Sequence, residues 1–159
     1  MRSTLRVIAA TILLLAPVSR AAAQGGEVLN NESILSMIAG KVPKDLIVSK
    51  IKTTKSAFDL SPDGLIKLNV GKVNSDVMKL MMTTSAAASG TNKETLGNDG
   101  IIKMVAGGLS KEIIVAKINM SKPGYDLTTN GLLDLTKNKV SEDVQKAMMA
   151  SAAGTPPKP

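Results

Sequence analysis

Four stretches of this chain are written to one pattern, and that pattern fixes what the chain can fold into. IIKMVAGGLSKEIIVAKI runs from Ile101 to Ile118, and its counterparts begin at Ile34 (ILSMIAGKVPKDLIVSKI), Leu65 (LIKLNVGKVNSDVMKLMM) and Leu132 (LLDLTKNKVSEDVQKAMM). In each, an apolar stripe is interrupted by Gly or Asn, and an acid then starts a second stripe. Ile47, Val48 and Ile51 share one helical face, as do Val77, Leu80 and Met81, then Ile114, Val115 and Ile118, then Val144, Ala147 and Met148. Each copy therefore predicts a short helical hairpin. At the turn stand Gly40, Gly71, Gly107 and Asn138, expected in the left-handed conformation that ends many helices. Three residues on, Asn74, Ser110 and Ser141 are expected to cap the second helix, with Pro43 the exception. Asp45, Asp76, Glu112 and Asp143 then face the positive end of the helix dipole, an interaction worth roughly 0.3–1 kcal/mol each. Val42, Val73, Leu109 and Val140 are placed to staple onto the new helix at Ile47, Met78 and Ile114, and Gln145 breaks the staple in the last copy.

The hairpins come in pairs. From Leu29 the chain repeats itself at a shift of about 67 residues, with roughly 24 identities in about 59 aligned pairs, and a shift of about 31 superposes the hairpins within each repeat. The expected fold is all-α, with four helices per repeat and eight in all. The expected organisation is a signal peptide over 1–23, helical repeat one over 27–87, a small polar linker over 88–95, helical repeat two over 96–154 and a tail over 155–159. Ser61-Pro62 and Thr128 open the third helix of each repeat, and Asn31 and Asn98 are expected to cap the first. Phe58 and Tyr125, at one repeat position, are expected core anchors. A unit of about 60 residues buries only around 60% of its unfolded surface, so the repeats must pack together or the chain must self-associate.

The first segment sets the address. Arg2 and Arg6 precede an apolar run over 7–18, and Ala21-Ala22-Ala23 precede Gln24, the pattern of a cleaved secretory signal. The run of about 12 residues is short of the ~20 that span a bilayer. Lys, Asp or Asn interrupts every later stripe, so no integral membrane segment is expected after cleavage, and the mature chain is expected to be periplasmic or secreted. All three arginines, Arg2, Arg6 and Arg20, lie in this segment; without them 17 lysines face 13 acids, a net charge of +4. Having no Cys and no His excludes disulfides and thiol chemistry and removes the commonest acid/base group and metal ligand.

The remaining motifs divide between chemistry and architecture. Asp59-Leu60-Ser61-Pro62-Asp63-Gly64 and Asp126-Leu127-Thr128-Thr129-Asn130-Gly131 resemble the opening of the calcium loops of dockerin modules. The twelfth loop position, where a carboxylate is required, holds Val70 or Lys137, so no metal ligand set is expected and helix capping explains the motif. The turn over 106–109 resembles the helix-hairpin-helix of DNA-binding proteins, but Ser110 or Pro43 replaces its second glycine. With no arginine left in the mature chain and no interleaved aromatics, nucleic acid is not an expected partner. Met37, Met78, Met81, Met82, Met104, Met148 and Met149 lie on the apolar stripes, as core filling or, alternatively, as the lining of a groove for an apolar ligand or lipid. No Ser or Thr has a His partner, so no catalytic residue and no cofactor is assigned and no enzyme activity is expected.

GGLSKEIIVAKI resembles the turn and second helix of SHOCT-type hairpins. On a larger scale, Asn98 through Ile118, then Tyr125, Asp126, Leu127 and Leu132, and their counterparts in repeat one, resemble an uncharacterised helical-hairpin module found in tandem in secreted bacterial proteins. The first resemblance implies association with a protein partner or with itself; neither implies catalytic residues. The expected function is that of an exported, non-catalytic interaction module.

Overall fold

A computed structural model describes residues 27–88 and 94–154. The expected signal peptide over 1–23, the expected tail over 155–159 and residues 89–93 of the expected linker lie outside the described residues. The first half consists of β1 (Val28–Leu29), α1 (Asn31–Ala39), α2 (Lys44–Thr53), β2 (Lys55–Ser56), α3 (Pro62–Val70) and α4 (Ser75–Ala88). The second consists of β3 (Thr95–Leu96), α5 (Asn98–Ala106), α6 (Lys111–Met120), β4 (Lys122–Pro123), α7 (Thr129–Lys137) and α8 (Glu142–Ala152). The fold is all-α, and its helices form two rows. In one, α1, α3, α5 and α7 touch in succession; in the other, α2, α4, α6 and α8 do. Because α3 meets α5 and α4 meets α6, the two halves share a continuous core, into which Leu68, Met81, Ile101 and Met104 are fully buried.

Two short parallel strand pairs are additions to the expected all-helical plan. β1 pairs with β2, placing Val28 opposite Lys55, and β3 pairs with β4, placing Thr95 opposite Lys122. Each pair ties the entrance of a hairpin to its exit, with Leu29 and Leu96 as buried anchors. Ordered structure thus reaches into both ends of the stretch 88–95, through Ala88 of α4 and Thr95 of β3.

The turns differ from expectation by one residue. Gly40, Gly71, Gly107 and Asn138 have φ of −73°, −71°, −74° and −85°, which is right-handed backbone. The left-handed residues follow them: Lys41, Lys72, Gly108 and Lys139, with φ between 57° and 71°. Each turn closes by the paired bonds of a Schellman motif, as in Val42 N–H to Met37 C=O at 2.9 Å and Lys41 N–H to Ile38 C=O at 3.0 Å. The glycines before them serve packing instead. A Cβ on Gly71 would stand 2.1 Å from Leu35 Cδ2 of α1, and one on Gly107 would stand 2.6 Å from Ile66 Cγ1 of α3. Gly71 and Gly107 are each the hollow that receives a side chain from the preceding helix of its row.

The caps also redistribute. Ser61 and Thr128 accept from the N–H groups of Gly64 and Gly131, and Asn74 accepts from Asp76 N–H, as expected. Ser110 and Ser141 make no side-chain cap bond. At the start of α6 its own backbone amide and then the Ser110 hydroxyl hold the Glu112 carboxyl below the ordinary carboxylate value. Helix α1 is capped by Asn30, in a reciprocal arrangement with Ser33, and α5 begins at Gly97 with no side-chain cap. Asn31 and Asn98 are therefore not caps. Each grips a backbone 28 residues ahead at two points: Asn31 donates to Asp59 C=O at 2.8 Å and accepts from Asp59 N–H at 3.0 Å. Asn98 does the same to Asp126, at 2.9 and 3.0 Å.

Candidate interaction site

The calcium-loop-like motifs are the joints at which each pair of hairpins is assembled. Asp59 Oδ1 accepts from Ser61 N–H at 3.0 Å, and Asp126 Oδ1 accepts from the N–H and the hydroxyl of Thr128 at 3.0 and 2.7 Å. Hydrogen bonds from the Thr128 hydroxyl and then its amide hold Asp126 below the usual carboxylate value, and those from Ser61 do the same for Asp59. Gly64 and Gly131 close the motif, because a Cβ there would fall 2.4 and 2.2 Å from the carbonyl oxygens of Asp59 and Asp126. Each carboxylate thus serves as a local cap, and no group of three or more carboxylates that could hold a metal ion forms among the described residues.

Phe58 and Tyr125 pack against the core while remaining half-buried. Burial raises the Tyr125 phenol above its ordinary pKa, and the Ser151 hydroxyl beside it acts in the opposite sense. The methionines are chiefly core: Met78, Met81, Met82, Met104 and Met148 are buried, Met37 is partly buried, and Met149 is exposed at the C-terminal end.

A concavity lies elsewhere, on the even-numbered helices. A groove of about 850 Å³ runs between α6 and α8, with Lys79 of α4 at its edge. Its floor is small and apolar, formed by Val115 and Ala116 of α6 and Ala147 and Ala150 of α8; no methionine lines it among the described residues. Its rim is charged. Lys111 meets Asp143 at 2.8 Å across the start of the groove, and Lys146 meets Glu142 at 2.7 Å. The hydrogen bond to Lys111 holds Asp143 below its ordinary pKa, and the same bond raises Lys111.

In the first half Lys44 and Asp76 make the equivalent bridge at 2.6 Å, but Leu80 and Thr83 stand where the second half has Ala147 and Ala150. The replacement of those two residues by alanine opens the groove. That signal was present in the sequence, at Ala147 of the apolar stripe and at Ala150, to which no role was assigned.

A second asymmetry marks the junction between halves. Lys50 meets Glu27 and Lys117 meets Glu94, at 2.5 and 2.6 Å. The Lys50 side chain is 41% exposed and that of Lys117 only 5%. The difference arises because α3 and α4 stack on the side of the second half that corresponds to an open side of the first.

No helix among the described residues is long and apolar enough to cross a membrane. No protein-family model, no curated protein and no solved structure matches the chain.

Proposed function

We propose that the chain is an exported, non-catalytic interaction module that holds a segment of a partner protein in the groove between α6 and α8. The observation that carries this reading is the groove itself: a small-residue floor rimmed by charges of both signs, on a face built from three successive helices. Ala147 and Ala150 leave space for apolar side chains of a partner, and Lys79, Lys111 and Lys146 favour acids flanking them. Such a surface suits a short segment laid across helices, in which apolar anchors supply most of the binding energy and charges set the register. The resemblance of one hairpin to SHOCT-type hairpins, which implies association, supports the same reading.

The test is a peptide-display selection on the mature protein, followed by titration of the selected peptides against wild type and Ala150→Arg. Ala150 is partly exposed on the groove floor. Peptides that combine an apolar residue with flanking acids, and lose at least about tenfold in affinity for Ala150→Arg, are the expected result. Failure to enrich any peptide, or equal binding to the variant, would count against the groove. Export carries its own expectation: intact mass of the protein recovered outside the cytoplasm should correspond to a chain starting at Gln24, and retention of Arg2 would contradict it.

A further inference from the structure

The two ends of the stack expose residues whose equivalents, about 67 positions away, are covered at the junction between the halves. On the leading face, Leu46 of α2 is 60% exposed, whereas its equivalent Ile113 in α6 is 1% exposed beneath α4. On the trailing face, Met149 is 42% and Leu133 52% exposed; the equivalent of the first, Met82, is 1% exposed, and that of the second, Ile66, is the side chain that fills the hollow at Gly107. Gly40, equivalent to Gly107, offers the same hollow on the leading face. Only carbonyl oxygens of its own helix come within 4 Å of where its Cβ would be. Among the described residues neither face is covered, whereas the terminal units of stacked-helix proteins ordinarily present a polar outer surface.

We infer that a second copy of this chain docks on the leading face through its trailing face, in the geometry by which α3 and α4 already meet α5 and α6. Leu133 of one copy then enters the hollow at Gly40 of the next, and Met149 covers Leu46. The charges are complementary in the same register. At the internal junction Lys79 attracts Glu112 and Lys117 attracts Asp59. The equivalents across the new contact are Lys146 with Asp45 and Asp126 with Lys50, each pair again opposite in sign. Where the internal junction pairs Lys103 with Asp63 at 3.4 Å, the new one places Ser36 near Asn130, both uncharged, so no like charges are brought together. A contact between two different faces does not close on itself as a twofold interface does, so it propagates into a row of copies or closes as a ring. Of the residues that line the groove of α6 and α8, Lys146 is shared with this contact.

The test is sedimentation velocity on the mature exported chain over about two decades of concentration. Wild type should show a mass that rises beyond the monomer. Leu46→Lys removes the leading face and Leu133→Lys the trailing face, each at an exposed position; each variant alone should retain its circular dichroism and weaken association at least about tenfold. Mixed together they retain one good face of each kind, and should form a one-to-one dimer that grows no further. The pair Asp45→Lys and Lys146→Asp is the charge counterpart: each alone weakens association, and the double variant restores it. A wild-type chain that stays monomeric throughout overturns the inference, as does a mixture of Leu46→Lys and Leu133→Lys that forms no dimer.

Discussion

Gly107 offers a quantitative handle on how the two halves are joined. Its φ of −74° and ψ of 2° suit any residue, and on conformational grounds alone Gly107→Ala should stabilise the chain by about 0.5–1 kcal/mol, because alanine has less freedom to lose on folding. The surroundings reverse the sign. The new methyl would meet Ile66 Cγ1 at 2.6 Å, Cδ1 at 3.0 Å and Cγ2 at 3.2 Å, where carbon atoms prefer roughly 3.5–4.0 Å. Isoleucine in a helix is nearly locked at χ1, so α3 and α5 must part, and overpacking of this kind costs about 1–3 kcal/mol. In an Ile66→Ala background all three contacts disappear, and Gly107→Ala should become neutral or stabilising. Urea denaturation of the four proteins in the cycle should give a coupling of about 2 kcal/mol. An equal cost of Gly107→Ala in both backgrounds would refute the close approach of α3 to α5 as the reason for this glycine.

The left-handed lysines give a complementary expectation: Lys72→Gly and Lys139→Gly should each stabilise by about 1 kcal/mol in thermal denaturation, since a side chain is disfavoured in that region by about that amount, while Gly108→Ala should destabilise similarly. Glu94→Ala leaves the buried Lys117 without its carboxylate and should cost about 1–3 kcal/mol by urea denaturation, whereas Glu27→Ala, beside the exposed Lys50, should cost under about 1 kcal/mol; equal costs would contradict the burial of Lys117 by the first half. Asp76, Asp126 and Asp143 are held below the ordinary value of 3.8 by hydrogen bonds from Lys44, Thr128 and Lys111 respectively. A depressed carboxylate contributes stability that is complete above the unfolded value and is lost as pH falls through it toward the folded one, so urea midpoints should be level from neutrality to about pH 5 and drop below about pH 4. Asp126→Asn should flatten that drop.

The helices were legible because their signal is periodic: Ile114, Val115 and Ile118 recur at helical spacing whatever surrounds them. The turns were legible to within one residue. Four glycine-like positions suggested left-handed backbone, and what the glycines answer is a neighbour, Leu35 or Ile66, which no local pattern announces. The same reason hid the roles of Asn31 and Asn98. An asparagine at the start of a helix reads as a cap, and only the fold shows that its amide reaches a backbone 28 residues away. Two-residue strands carry too little sequence to register. The groove follows from the absence of bulk at Ala147 and Ala150, visible in comparison with Leu80 and Thr83 but without meaning until α6 and α8 were side by side.

The bonds that join the hairpins have a common property: they reach 23 to 40 residues along the chain, from Lys117–Glu94 through the asparagine grips and Lys44–Asp76 to Lys103–Asp63. A chain threaded out from its N-terminus therefore has each contact available as soon as about one further hairpin has emerged. Nothing in the stack of α1 and α2 waits for α7 or α8. Structure built from such short loops forms quickly, on the microsecond to millisecond scale typical of helical folds.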